Sequence, residues 1–186
     1  MKNKITMSKQ RIIKFLTPEQ IELLLDGADD KRDDAVLQIL VTTGLRVHEL
    51  AGLPRDHFKE EAHPEGQTCE FPIIGKGGRQ RVVFFSPAVL GAIFEYLRGR
   101  SDGDPRLFPC TIRTIQNIVS RCGKNVGLDE VWPHMIRHSF ASGLLRNGAS
   151  LNSVKEFLGH SNIATTSIYL HTSNKELKDI HEKMFK

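Results

Sequence analysis

The stretch Cys69–Phe85, CEFPIIGKGGRQRVVFF, decides the fold, because the apolar pattern of the chain changes period there. Residues 69–74 and 81–85 are rich in aromatic and β-branched side chains, and they flank Gly75-Lys76-Gly77-Gly78. Two β-prone runs around such a turn predict an antiparallel hairpin. Outward from it, the chain reads as mostly helix after a flexible arm or linker at residues 1–16. Towards the N-terminus, Thr17-Pro18-Glu19-Gln20 combines a capping threonine, a first-turn proline and a glutamine three residues on, which starts a helix through Leu25. Ala35–Thr43 is an apolar helix stopped by Gly44, and Arg46–Leu53 is a short one stopped by Pro54. Towards the C-terminus, helices start at Ser86-Pro87, at Thr111, at Pro133 and at Ser150, with Gly148 and Gly159 ending the last two. Ser173-Asn174-Lys175-Glu176 is a capping box for a final helix. The fold class is therefore mainly α, α+β, with one small antiparallel sheet.

A chain of 186 residues is most simply one domain with a substantial core. Cys69, Cys110 and Cys122 are far apart and form no C-x-x-C, which argues against a disulfide framework or zinc knuckle and fits a reducing cytoplasm. No apolar run has the length of a membrane span. The net charge of +4 is unevenly spread. Residues 1–14 carry five basic side chains and no acid, residues 15–75 carry 13 acids against five bases, and residues 76–124 carry nine bases against three acids. A basic arm and a basic middle on an acidic remainder suit a polyanionic partner on one face, or simply a solvated surface.

Several short motifs carry chemistry. Arg46 follows a glycine-ended helix and lies at the start of the next, where a guanidinium can meet an anion or pair with a nearby carboxylate. Lys76 sits at the hairpin turn, but the spacing is not that of a nucleotide P-loop. His134 and His138 have the spacing of a helical zinc pair, yet Met135 stands where a metalloprotease needs its glutamate, and no third ligand follows. His134 and Arg137, three apart, instead share a helix face. His160 follows Gly159, and nine residues later comes Tyr169, one of only two tyrosines. Taken together, arginine forks, a lysine, histidines and a tyrosine suit attack on a phosphodiester. No acidic cluster is placed for a two-metal mechanism.

In this order and spacing, "TGLRVHELAGL", "GKGGRQRVV", "PHMIRHSFAS" and "LGHSNIATTSIYLH" closely resemble the catalytic domain of the tyrosine site-specific recombinases, the phage integrase family. The resemblance covers roughly residues 17–185. It implies a helical domain with a three-stranded antiparallel sheet; from the residues themselves, a basic arm or linker at 1–16 precedes it and a tail helix at 173–185 ends it. It implies that Arg46 and Arg137 hold the scissile phosphate, and that Lys76 is the general acid towards the 5′-hydroxyl. His134 would assist proton transfer, His160 would hydrogen-bond a phosphate oxygen, and Tyr169 would be the nucleophile. No cofactor and no metal are implied.

The implied partners are double-stranded DNA and three further copies, acting through a Holliday junction with tail helices exchanged in trans. Leu177, Ile180 and Met184 form the tail's apolar stripe, with Phe185 beside it. The family commonly carries an N-terminal core-binding domain that has no counterpart here, so the chain is expected to be a catalytic fragment or a single-domain member. Ile136 stands where the family usually has Leu, a volume-conserving swap. A type IB topoisomerase-like nicking–closing enzyme, or a DNA-binding regulator that keeps the fold alone, are the alternatives.

Overall fold

The structure is a computed structural model and describes residues 15–64, 66–74, 80–159 and 174–185. Among these residues, eight α-helices and one hairpin follow in the order α1 (Pro18–Asp26), α2 (Lys31–Thr43), α3 (Val47–Ala51), β1 (Cys69–Ile74), β2 (Gln80–Phe85), α4 (Pro87–Arg98), α5 (Ile112–Asn125), α6 (Pro133–Arg146), α7 (Leu151–Leu158) and α8 (Asn174–Met184). The starts are set by caps. Thr17 and Gln20 form the reciprocal box at α1, Thr111 accepts from the Thr114 N–H at α5, and Ser150 accepts from the Ser153 N–H at α7. Helix α2 begins four residues before the apolar run, because Asp30 caps it by accepting from Asp33 N at 2.9 Å.

Helix α2 is the central element. Val36, Leu37, Ile39 and Leu40 are fully or almost fully buried, and the helix packs against α1, α4, α5, α6 and β2. Its deep carboxylate, Asp33, is fully buried and paired with Arg32 at 2.9 Å and with Arg121 of α5. The hairpin pairs Cys69 with Phe85 through to Ile74 with Gln80. Alternation along β2 splits its side chains between two cores. Val83 and Phe85 enter the main one beside Phe58 and Phe71, while Phe84 enters a second one formed with Phe140, Leu144 and Phe157. This second core lies behind α6 and α7.

The three-stranded sheet implied by the resemblance is not what forms: among the described residues the sheet has two strands. The segment before β1 makes only an isolated bridge from Pro54 to Arg106, then two 3-10 turns, Arg55–Phe58 and Glu60–Ala62. Proline donates no ladder hydrogen bond, and the charged run Lys59-Glu60-Glu61 is poor strand material.

Within the single chain, α8 packs on its own α6 and β2. Gly143 leaves the slot for Met184: a Cβ there would lie 2.3 Å from the Met184 Cε. The Phe185 ring lies parallel to that of Phe140, centroids 6.1 Å apart. The side chains of Leu177 and Ile180, and the cap at Ser173, lie outside the described residues. The main anchor is one the apolar stripe does not reveal. His181 is 1% exposed, rests against Phe84 and Phe185, and sets Nε2 3.1 Å from the Thr42 carbonyl oxygen.

Burial pushes the His181 imidazole down to about 4, against the upward pull of that carbonyl. Its folded value thus lies below the ordinary histidine value of about 6.5, so the unfolded state binds the extra proton. The stability from neutral His181 is fully present above about pH 6.5 and is lost as pH falls towards 4. Acidification across that window is expected to loosen α8 before the rest of the fold, seen as hydrogen exchange accelerating first in residues 178–185.

Candidate active site

Helix α2 ends at Gly44, which takes the left-handed conformation at φ 59°. A Cβ on Gly44 would sit 2.4 Å from the Phe140 ring, so the corner between α2 and α3 is held hard against α6. Two residues on, Arg46 is the N-cap of α3 in extended conformation. The Glu49 side chain turns back on this corner, accepting from the Arg46 backbone N–H at 2.7 Å and from its Nη1 at 3.2 Å.

Helix α6 begins at Pro133, pre-set for a first helical turn, and places His134 and Arg137 one turn apart. Arg137 is 4% exposed. Its Nη1 donates to the Gly44 carbonyl and its Nη2 to the Leu158 carbonyl at the end of α7. Burial, then the charges of Arg46 and Arg81, lower its guanidinium to about 9. It therefore remains a cation at neutral pH, with N–H groups of its five still uncommitted to those carbonyls. Arg46, His134 and Arg137 line one open cleft, together with Arg113 and Asn117 of α5 and the half-exposed Trp132.

His138 lies one turn beyond His134, the ring centroids 4.5 Å apart and nearly perpendicular. Burial, then the neighbouring His134 and Arg137, hold its imidazole below the usual value. Among the described residues no group of three or more His, Cys, Asp or Glu is placed to hold a metal ion.

Of the six residues singled out in the sequence, Arg46, His134 and Arg137 are thus brought together. Lys76, His160 and Tyr169 lie outside the described residues. The boundaries of their segments are fixed, however. Lys76 belongs to the connection between β1 and β2, and the chain carrying His160 and Tyr169 leaves from Gly159, the left-handed end of α7 at φ 60°.

Two further residues are not evident from the sequence. Glu49 is buried and accepts a bidentate fork from Arg81, Nη1 to Oε1 at 2.7 Å and Nη2 to Oε2 at 2.8 Å. Burial alone would push the Glu49 carboxyl up; the Arg81 fork, then the Arg46 backbone and charge, outweigh it and hold it at about 2. The only trace of Glu49 in the sequence is its capping-box distance from Arg46. Arg81 looks there like an ordinary solvent-facing residue at a strand start.

Comparison with known proteins gives a consistent picture. The sequence model of the phage integrase family matches residues 14–176. The chain is 36% identical over 181 residues to the tyrosine recombinase XerA of Pyrococcus horikoshii, covering 91% of this chain and 61% of that protein. Among solved structures, a XerA recombinase superposes with a TM-score of 0.69 at 27% identity, over 92% of this chain and 65% of that one. A XerH site-specific recombinase bound to a palindromic difH substrate, in a post-cleavage complex, gives 0.68 at 26% identity, over 91% of this chain and 52% of that one. The chain thus spans about three fifths of the length of such a relative.

Proposed function

The chain belongs to the phage integrase family, and from that premise we propose that it cleaves and rejoins double-stranded DNA at specific sites through a 3′-phosphotyrosyl intermediate. The observation that carries this reading is the convergence of Arg46, His134 and Arg137 in one cleft, where two guanidiniums can grip the non-bridging oxygens of a phosphodiester. The Tyr169 oxygen attacks phosphorus, the bond from phosphorus to O5′ breaks, and Lys76 protonates the departing 5′-oxygen. His134 takes up the phenolic proton and His160 binds a phosphate oxygen. The phosphotyrosyl ester conserves the diester's energy, so a second 5′-hydroxyl can reverse the step without hydrolysis. The DNA-bound relative supports the substrate class. No helix of the described residues is long and apolar enough to cross a membrane. A cytoplasmic location is part of the proposal and rests on action on DNA.

The unit that performs this is residues 17–186, with the basic residues 1–16 as a DNA-contacting arm. The test is a nicked suicide substrate, on which strand cleavage releases a short fragment and traps a denaturation-resistant protein–DNA adduct. A two-site recombination assay then distinguishes strand exchange from simple nicking and closing. No adduct on any cognate site would refute the reading.

In the assembled state four copies exchange tail helices head to tail, a heterologous contact that closes into a ring. The pocket formed by Thr42, Phe84, Phe140 and Gly143 receives α8 of its own chain, and an identical helix from a neighbour fits it equally. An eleven-residue helix is marginal alone, so α8 needs one pocket or the other. Truncation after Thr172 is expected to lower the melting temperature, because the second core loses Met184 and Phe185. Single-site binding survives and synaptic assembly is lost. A truncated protein that assembles like the full chain rules out exchange.

A further inference from the structure

The end of α7 is tied to the corner between α2 and α3 by two separate struts. One is Arg137, whose guanidinium links the Leu158 carbonyl to the Gly44 carbonyl. The other starts one residue earlier. The Phe157 carbonyl accepts from Arg81 Nε at 3.0 Å, Arg81 forks Glu49, and Glu49 holds both the backbone and the side chain of Arg46. Arg81 thereby joins three parts that are distant in sequence: β2, α3 and α7. Its side chain is 6% exposed. It also packs against Gly159, where a Cβ would lie 3.1 Å from its Cδ.

We propose that Arg81 is a positioning residue for the reaction, fixing the point from which the 160–173 segment leaves α7 relative to the phosphate grip of Arg46. The proposal rests on the recombinase reading above. Its physical basis is geometric. A planar guanidinium presents Nε and both Nη groups in one rigid fan, so one side chain can bind a carboxylate on one edge and a carbonyl on the other. With Glu49 neutralised by Arg81, Arg46 need not spend its own fork on that carboxylate, and it makes only the single 3.2 Å contact there. Arg81 also lies two residues past the 75–79 connection that carries Lys76. Loss of the fork would therefore disturb both the Arg46 corner and the end of α7, although Arg81 itself touches no reacting atom.

Arg81→Lys keeps the charge but cannot span Glu49 and the Phe157 carbonyl together. At saturating DNA, and well below its melting temperature, adduct formation on the nicked substrate is expected to fall roughly 10²-fold, with DNA affinity unchanged. Arg81→Gln removes the charge as well. Glu49 then faces only Arg46 and the more distant Arg137, and its carboxyl rises, so cleavage gains an acid-side loss beyond any the wild type shows. If Arg81→Lys fails to fold, Glu49→Gln reads the same strut from its other end, with the same loss of cleavage at full DNA occupancy.

Adduct formation within about twofold of wild type in the folded variant overturns the proposal and leaves Arg81 a mere core ion pair. If the wild type itself forms no adduct, the functional reading fails, and the strut is judged by hydrogen exchange, which needs no activity. Faster exchange confined to residues 46–53 and 155–159 in Arg81→Lys upholds it; a uniform change across the chain overturns it.

Discussion

Replacing Tyr169 by Phe is expected to abolish covalent adduct formation while leaving folding and DNA binding intact. The substitution removes one oxygen atom and almost no volume. The residues of the described cleft proposed to meet DNA, Arg46, Arg137 and the α5 face with Arg113 and Asn117, are untouched. The effect is expected in the covalent step alone: the variant binds its site with wild-type affinity, and no denaturation-resistant band appears at any time. A Tyr169→Phe protein that still formed the adduct would exclude Tyr169 as nucleophile. Tyr96, the other tyrosine, is poorly suited to replace it. It stacks on Phe108 with centroids 5.2 Å apart, lies under Arg100, and burial raises its phenol above the ordinary value. A phenol held further from ionisation is a weaker nucleophile.

The second large effect concerns the two arginines, and the structure separates their consequences. Arg46→Lys and Arg137→Lys each retain a positive charge and lose the planar fork, so each is expected to slow cleavage by roughly 10²–10³-fold, the scale of losing one preorganised donor. Their stabilities differ. Arg46 is partly exposed, and Glu49 keeps the Arg81 fork without it, so Arg46→Lys retains the wild-type melting temperature. Arg137 is buried and bridges the carbonyls of Gly44 and Leu158, which one ammonium cannot reach together. Arg137→Lys leaves a buried carbonyl short of a donor, at a cost of about 1–3 kcal/mol, and its melting temperature falls. Cleavage by the wild type persists in EDTA; abolition by EDTA with recovery on adding Mg²⁺ would overturn the metal-free mechanism. Equal melting temperatures for the two variants would show that the Arg137 bridge does not support the fold.

Much of the fold and part of the site are legible in the amino-acid sequence, for local reasons. Caps, prolines and glycines fix helix ends within a few residues of sequence, so Thr17, Pro133, Ser150, Gly44 and Gly159 announce their roles directly. Arg46, His134 and Arg137 stand out because each lies at or near such an end, where a side chain projects from a rigid element. The hairpin is legible from its change of period. Its third strand was an implication of family resemblance rather than of the residues themselves, and the local chemistry of Pro54 and the charged run after it produced turns instead. Roles for Lys76, His160 and Tyr169 likewise rest on their motifs.

What only the tertiary structure decided are the contacts between residues far apart in the chain. Arg81 and Glu49 are separated by 32 positions, and Arg137 reaches back 93 positions to Gly44. His181, polar in an otherwise apolar tail stripe, is buried against Thr42 139 positions away. No periodicity marks such pairs, because a charge or imidazole looks alike in sequence whether water or a carbonyl satisfies it. Burial makes the difference: once water is excluded, each buried donor requires its own acceptor, and the packing of α2, α6 and α7 determines which one it meets.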